Sequence, residues 1–311
     1  MYTFIDLFAG IGGFRTALEQ RGMKCVFSSE IDEKAKESYF KNFGETPYGD
    51  ITEIPEKKIP PHDILCAGFP CQSFSISGDA RGFDDDRGRL FYEIVRIAQY
   101  HQPHVLLLEN VKNILTIDNG NVIKTIENKL DEIGYTLSKH VLNASYFGIP
   151  QSRERVYFVG LRKHGRTKEK LVYKPPKANY KKIYLEDVLE NNVDDSLYID
   201  RNDMVIDFDP KERSLEPIRV GHVNKGGQGE RIYSDKGHSI TLSAFGGGVG
   251  ARTGLYLVND KVRRLSIDEC KKLMGFPINH YVSLGLQGYQ QLGNAVIPSM
   301  IGYVYDSIKV V

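Results

Sequence analysis

Apolar runs of strand length alternate with amphipathic stretches over the first 160 or so residues. Residues 3–8 are short and apolar, glycines follow, and residues 14–21 carry helical spacing. Residues 24–29 read as a second strand ending in Glu30-Ile31-Asp32, with a helical stretch through residue 40. Residues 63–67 (Asp-Ile-Leu-Cys-Ala) and 104–108 (His-Val-Leu-Leu-Leu) are continuous apolar runs, as in strands buried on both faces of a parallel sheet. Between them, residues 90–101 repeat apolar positions at helical intervals. Residues 122–134 form an amphipathic helix stopped by Gly134, and 155–161 make a late strand. The alternation predicts an α/β fold with a doubly wound, mostly parallel sheet.

The pattern changes after Lys174-Pro175-Pro176. Residues 185–213 hold ten Asp or Glu against three Lys or Arg, which reads as a solvated face turned away from any polyanion. Residues 214–264 reverse the balance, with eight basic residues to four acidic. They include two glycine clusters, Gly226-Gly227-Gln228-Gly229 and Gly246-Gly247-Gly248. A second, smaller strand- and loop-rich domain is expected over 184–265. A helix follows from Ser266, with Glu269 three residues on as a capping box. The expected division is a first domain of residues 1–183 completed by 285–311, a second of 184–265, and a hinge of 266–284. The apolar stretch 288–308 is expected to pack back on the first domain. A length of 311 residues, at about 100–200 per domain, agrees with two.

Composition narrows the class without naming a function. Apolar residues at 41% and charged residues at 26% are ordinary for a soluble globular chain. A net charge of +1 gives no whole-protein attraction to polyanions, so any nucleic-acid surface must be local. Cys25, Cys66, Cys71 and Cys270 form no Cys-x-x-Cys pair and fit reduced thiols in a cytoplasmic protein. The eight histidines are scattered without ligand spacing, so no metal site is expected. The N-terminus lacks a signal peptide's basic start, and no apolar run nears the roughly 20 residues of a membrane span.

The chemistry-bearing residues cluster at predicted strand ends. Phe8-Ala9-Gly10-Ile11-Gly12-Gly13 follows the first strand and would let the backbone approach a ligand at a helix N-terminus. A dinucleotide fingerprint fails here, because Arg15 stands where a third glycine is required, and no Gly-Lys-Ser/Thr of a phosphate loop follows. Glu30, ending the second strand, could accept from both hydroxyls of a ribose. Asp50 could accept from an adenine amino group. A glycine turn with these two acids suits S-adenosylmethionine, a nucleoside without phosphates.

Gly68-Phe69-Pro70-Cys71-Gln72-Ser73 follows the strand of residues 63–67. Proline fixes its own φ and holds Phe69 extended, so the thiol leaves the strand in a stiff turn. Such a thiol suits attack on carbon 6 of cytosine, which makes carbon 5 nucleophilic enough to take a methyl group. The reaction needs a thiolate, and a free cysteine of pKa about 8.5 supplies little at pH 7. It also needs an acid at ring nitrogen 3 and donors for the carbonyl oxygen. Glu109 is the candidate acid, with burial expected to raise its pKa. Arg153 and Arg155, at i and i+2 and expected on one face of a strand, supply the donors. Arg153 is expected on the cytosine oxygen, and Arg155 on the Cys71 loop or a phosphate.

The ordered set Asp6-Leu7-Phe8-Ala9-Gly10-Ile11-Gly12-Gly13, Pro70-Cys71-Gln72, Glu109-Asn110-Val111, Gln151-x-Arg153-x-Arg155 and Gly293-Asn294-Ala295-Val296 resembles the DNA cytosine-5 methyltransferases over nearly the whole chain. The resemblance implies that Phe8, Gly10, Ile11, Gly12, Glu30, Ile31, Asp50, Ile51, Pro70, Leu90, Asn294 and Val296 contact S-adenosylmethionine, leaving S-adenosylhomocysteine as product. Residues 225–234 and 240–248 are similar to the target-recognition region of a GCGC-specific member of that family. By that similarity Ser77 and Gln228 would fill the gap left by a flipped cytosine and hold the orphan guanine. Arg231, Thr241, Phe245 and the loop around Gly248 would meet the duplex in the major groove. Phe245 stands where a tyrosine is expected, and Val249-Gly250 replaces bulkier residues. The polar stretch 75–89 reads as a lid that closes on DNA.

The resemblance thus implies a restriction–modification methyltransferase that flips a cytosine out of double-stranded DNA, at GCGC, and methylates its carbon 5 through a Cys71 adduct. It implies a monomer, a bacterial cytoplasmic setting, and a cognate endonuclease without direct contact. Two other readings are an RNA cytosine-5 methyltransferase and a non-catalytic DNA-binding module. The basic, glycine-rich second domain argues against the first, and the presence of thiol, acid and both arginines against the second. A nucleotide-dependent dehydrogenase is weakened by Arg15.

Overall fold

The computed structural model describes residues 2–70, 89–163 and 171–310. In chain order the first strands are β1 (Thr3–Leu7), β2 (Lys24–Ser29), β3 (Ile64–Ala67), β4 (Val105–Val111) and β5 (Tyr135–Asn143). Then come β6 (Gln151–Ser152), β7 (Glu154–Arg162), β8 (Leu171–Tyr173), β9 (Val205–Ile206) and β10 (Arg219–His222). The rest are β11 (Arg231–Ser234), β12 (Ser239–Ile240), β13 (Leu255–Val258), β14 (Lys261–Arg263) and β15 (Ile308–Val310). The α-helices are α1 (Gly13–Glu19), α2 (Glu33–Phe43), α3 (Arg89–His101), α4 (Asn121–Glu132), α5 (Ile267–Leu273), α6 (Gly285–Asn294) and α7 (Pro298–Asp306).

The chain folds as two compact units: Met1–Leu142 with Arg155–Pro176 and Pro298–Val311, and Asn143–Glu154 with Lys177–Ile297. In the first unit a six-stranded sheet runs β2-β1-β3-β4-β7-β5. The pairs β1–β2, β1–β3 and β3–β4 are parallel, and β4–β7 is antiparallel. The expected mostly parallel α/β sheet is therefore present. Ile5, Leu7, Leu65, Ala67, Leu106 and Leu108 alternate along their strands and share one core with Phe91, Ile94 and Ile97 of α3 and Ile126 and Leu130 of α4. α1 packs with α7.

Strand order reverses at β1, whose neighbours β2 and β3 lie on opposite sides. The carboxyl ends of β1, β2 and β3 therefore open a crevice at a topological switch point, the place where open α/β sheets take ligands. β4 runs further than the pattern suggested: its pairing with β7 continues to Val111, so Glu109 and Asn110 sit on the strand rather than after it.

The second unit holds a five-stranded sheet, β14-β13-β11-β10-β9, and a short parallel pair of β12 with β6. Val220, Val223, Ile232, Leu255 and Val262 form its core. α5 starts with the expected capping box between Ser266 and Glu269. Buried Glu269 also takes both guanidinium nitrogens of Arg263, at 2.7 and 2.8 Å. Among the described residues no helix is long and apolar enough to cross a membrane.

Candidate active site

The chain turns sharply where β1 ends. Phe8 (φ 57), Gly10 (φ 56) and Gly12 (φ 86) have left-handed backbones. A Cβ at Gly12 would lie 2.2 Å from the Phe43 ring, whereas one at Gly10 meets nothing within 4 Å. Gly12 thus lets α1 close on α2, while Gly10 leaves the turn open above the sheet. Arg15, the residue that broke the dinucleotide fingerprint, is buried there. It bonds Glu19 at 2.7 Å and Glu45 at 2.8 Å, and lies over the Phe43 ring at 4.6 Å.

Glu30 completes the turn. One carboxylate oxygen accepts from the Gly10 amide at 2.7 Å, and the other from the Ile31 and Asp32 amides, both at 2.9 Å. Burial raises its pKa above the usual carboxylate value, and the three amides offset only part of that rise. Three of about four acceptor directions are engaged, leaving room for a hydroxyl. The Glu30 amide donates to Tyr48 O at 2.9 Å, bringing Asp50, two residues on, to the same edge. Asp50 caps a short turn by accepting from the Thr52 amide at 2.9 Å. Ile31 is 69% exposed beside Glu30, an apolar surface suited to a base. Ile51 differs: its side chain is in the core, so only its backbone could meet a ligand. An open glycine turn, a half-buried carboxylate and an exposed apolar side chain fit a nucleoside.

The reacting groups come from β4 and β7. Arg155 stands opposite Val111, so the pleat puts it on the same face as Glu109 two residues back. Its Nε lies 3.2 Å from a Glu109 carboxylate oxygen, and both side chains are largely buried. The neighbouring Asn110, absent from the expected site, is 3% exposed. Its amide donates to Phe69 O at 2.9 Å and accepts from the Val111 amide at 2.8 Å. It thereby ties the end of β4 to the stretch carrying Pro70, which is exposed. Phe69 also packs on Phe91 of α3, centroids 5.9 Å apart, beside half-buried Leu90. Cys71, Ser77 and the stretch read as a lid, up to residue 88, lie outside the described residues.

Arg153 does not share a strand with Arg155. Extended pairing stops at Arg153, between β6 and β7, and the two arginines belong to different units. The Asn143 side chain accepts from the Arg153 amide at 3.1 Å, and the Ala144 amide donates to Arg153 O at 3.0 Å, which turns the chain there. The Arg153 guanidinium is buried and donates to Leu242 O at 3.2 Å, Gly293 O at 3.0 Å and Ala295 O at 2.9 Å. These three backbone carbonyls engage both terminal nitrogens of the guanidinium expected at the cytosine oxygen. Asn294 is exposed between two of them, and Val296 is buried.

In the second unit the two glycine clusters meet backbone to backbone. A Cβ at Gly229 (φ +82) would fall 2.2 Å from Gly247 O, and the Gly250 amide donates to Gly229 O at 2.7 Å. Gln228, Arg231, Phe245 and Gly248 are exposed on or beside this platform. Thr241 donates its hydroxyl to Ser152 O at 2.6 Å.

Residues 2–310 match the family described as C-5 cytosine-specific DNA methylase. The chain is 48% identical over 308 residues to the type II methyltransferase M.HhaI of Haemophilus parahaemolyticus, covering 98% of this chain and 93% of that protein. It is 41% identical over 315 residues to the type II methyltransferase M.HaeII of Haemophilus aegyptius, covering 99% and 92%. The fold matches the crystal structure of the S. pombe Dnmt2 methyltransferase with a TM-score of 0.75 at 19% identity, covering 98% of this chain and 97% of that one. An E. coli prophage-encoded putative DNA modification methyltransferase matches at a TM-score of 0.71 and 20% identity, covering 99% of each chain. With the glycine turn, Glu109 and Arg155 assembled at the strand ends, the chain belongs to the C-5 cytosine-specific DNA methylases, enzymes that draw their methyl group from S-adenosylmethionine.

Proposed function

We propose that this chain is the modification enzyme of a type II restriction–modification system and methylates carbon 5 of the inner cytosine of GCGC in duplex DNA. The observation that carries the chemistry is the Arg155–Glu109 pair, 3.2 Å apart and largely buried at the carboxyl end of the sheet. The target rests on similarity to M.HhaI, which is GCGC-specific, and on exposed Gln228, Arg231 and Gly248 around the paired glycine clusters.

The base is swung out of the stack, since carbon 6 is out of reach in the duplex, at a cost of about a few kcal/mol. Cys71 attacks carbon 6 as its thiolate. Glu109 gives a proton to ring nitrogen 3, and Arg155, rather than Arg153, donates to the carbonyl oxygen. The guanidinium orients the Glu109 carboxyl as well. Once carbon 5 carries the methyl, that carbon loses its proton to solvent, the Cys71–carbon 6 bond breaks to release the thiolate, and nitrogen 3 returns its proton to Glu109. Glu30 and the Gly10 turn hold the nucleoside of S-adenosylmethionine, with Ile31, Asp50, Pro70 and Leu90 around it. When bound, that group supplies the electrophilic methyl. Ser77 and Gln228 occupy the vacated stack. The enzyme works as a monomer, without direct contact to a cognate endonuclease.

The test is to treat plasmid with purified protein and tritiated donor, then digest with a methylation-sensitive nuclease cutting GCGC and sequence after bisulfite treatment. Protection, with the inner cytosine unconverted, is expected, and a Cys71→Ala protein should transfer nothing. Incorporated label with full cleavage at GCGC would overturn the target. Label transferred by Cys71→Ala would overturn the mechanism.

A further inference from the structure

We propose that Arg153, with Gln151, is a positioning residue that couples target reading to cofactor binding; this rests on the reading that Asn294 meets S-adenosylmethionine and residues 241–248 meet DNA. Four observations converge within one unit. Arg153 Nη2 donates to Gly293 O at 3.0 Å and Ala295 O at 2.9 Å, the carbonyls on either side of exposed Asn294. Arg153 Nη1 donates to Leu242 O at 3.2 Å, next to Thr241. Fully buried Gln151 accepts from the Leu242 amide at 3.1 Å and donates to Leu273 O at 3.1 Å. A Cβ at Gly293 would sit 2.4 Å from the Ala244 amide nitrogen, so the two backbones are in direct contact.

One buried cation thus sets both the peptide orientation around Asn294 and the height of the recognition segment. A planar guanidinium fixes the spacing of its acceptors, and charge-assisted bonds are stronger than neutral ones. A displacement of the recognition segment on DNA cannot leave Asn294 where it was without breaking one of these bonds. Coupling of this kind is reciprocal: duplex tightens cofactor binding by the factor by which cofactor tightens duplex binding.

The test uses the full chain with Arg153→Lys, Arg153→Gln, Asn294→Ala and the double variant Arg153→Gln/Asn294→Ala. Dissociation constants for S-adenosylhomocysteine are measured with and without a GCGC duplex, alongside melting temperature and methyl transfer. In the wild type the duplex should tighten cofactor binding by roughly fivefold or more, the low end of allosteric couplings. Arg153→Gln should reduce that factor to about one, and Arg153→Lys, which reaches fewer carbonyls, to an intermediate value. The double variant should bind cofactor no more weakly than Asn294→Ala alone. A folded Arg153→Lys with full coupling, or effects of Arg153→Gln and Asn294→Ala that simply multiply, would overturn the proposal. Failure of the underlying reading has its own mark: Asn294→Ala then binds cofactor as the wild type does.

Discussion

Asn110 gives the sharpest link between a buried hydrogen bond and the chemistry. Its side chain donates to Phe69 O at 2.9 Å and accepts from the Val111 amide at 2.8 Å. Asn110→Ala removes both bonds and leaves a small void. Each lost bond at a buried position costs about 1–3 kcal/mol, so the pair should cost about 2–4 kcal/mol given the partial exposure of Val111. At roughly 2–4 °C per kcal/mol for a unit of this size, the melting temperature should fall by about 4–16 °C. Asn110→Asp keeps the acceptor for Val111 but sets a carboxylate against the Phe69 carbonyl, and should be at least as damaging. The functional consequence lies two residues past Phe69, at Cys71. Methyl transfer should be measured in a single turnover, with enzyme in excess and both substrates saturating, below the variant's melting range. A slower transfer step with little change in cofactor affinity is expected. A protein that melts lower but transfers at the wild-type rate would show that Asn110 holds the fold and not the thiol's approach. An unchanged melting temperature would refute the hydrogen-bond geometry itself.

Two further perturbations separate packing from binding and from titration. Gly12→Ala forces a Cβ 2.2 Å from the Phe43 ring at φ +86, and should cost about 2–4 kcal/mol from overpacking and left-handed strain together. Gly10→Ala meets nothing within 4 Å at φ +56, so it should cost only about 1–2 kcal/mol while weakening cofactor binding much more than stability implies; equal effects of the two in urea melts would contradict this. His62 is buried with Nε2 unpartnered, and burial pushes its pKa down to about 4. An unfolded histidine titrates near about 6.5, so the unfolded chain binds the extra proton first and stability is lost as pH falls from about 6.5 to about 4. At about 1.4 kcal/mol per unit over about 2.5 units, the loss is about 3 kcal/mol. His62→Gln should flatten the acid side of a urea-stability profile, and parallel profiles for the two proteins would rule the assignment out.

Strands β1 to β4 and their helices were legible because buried parallel strands write continuous apolar runs and their helices write a 3.6-residue period, whereas β5, mostly exposed or half-buried, left no such run and was not foreseen. Glu30 and Gly10 were legible as parts of one cofactor site for the same reason, since each lies at the end of a strand of one sheet, but the bond between them was not. Arg153 and Arg155 were not separable by spacing. An i, i+2 pair predicts one face only if the strand is unbroken, and the break at Arg153 depends on the Asn143 side chain ten residues earlier. Asn110 was visible within Glu109-Asn110-Val111 but was given no role, since nothing local shows that its partner is Phe69 O, 41 positions away. Arg15 counted only against a dinucleotide site. Its place between Glu19, Glu45 and the Phe43 ring requires knowing that α1 closes on α2 at Gly12.

The grip of Arg153 and Gln151 on the recognition segment has a consequence for specificity. Every bond they make to residues 242, 273, 293 and 295 is to main-chain oxygen or nitrogen, apart from a weak contact to the Met274 sulfur. None depends on the side chains at 241, 243 or 245. Substitutions at exposed Phe245 therefore change the surface proposed to meet DNA without loosening the bonds that fix the segment's height. On the proposed reading the Phe245 ring, lacking a hydroxyl, would alter affinity for the DNA backbone rather than the register proposed for Gln228 and Arg231 at the bases. On the proposed reading, a segment that Arg153 and Gln151 hold by its backbone can take a substitution at Phe245 while its coupling to Asn294 stays intact. A Phe245→Tyr protein should accordingly keep both its target and its cofactor–duplex coupling factor, and change only the salt dependence of binding.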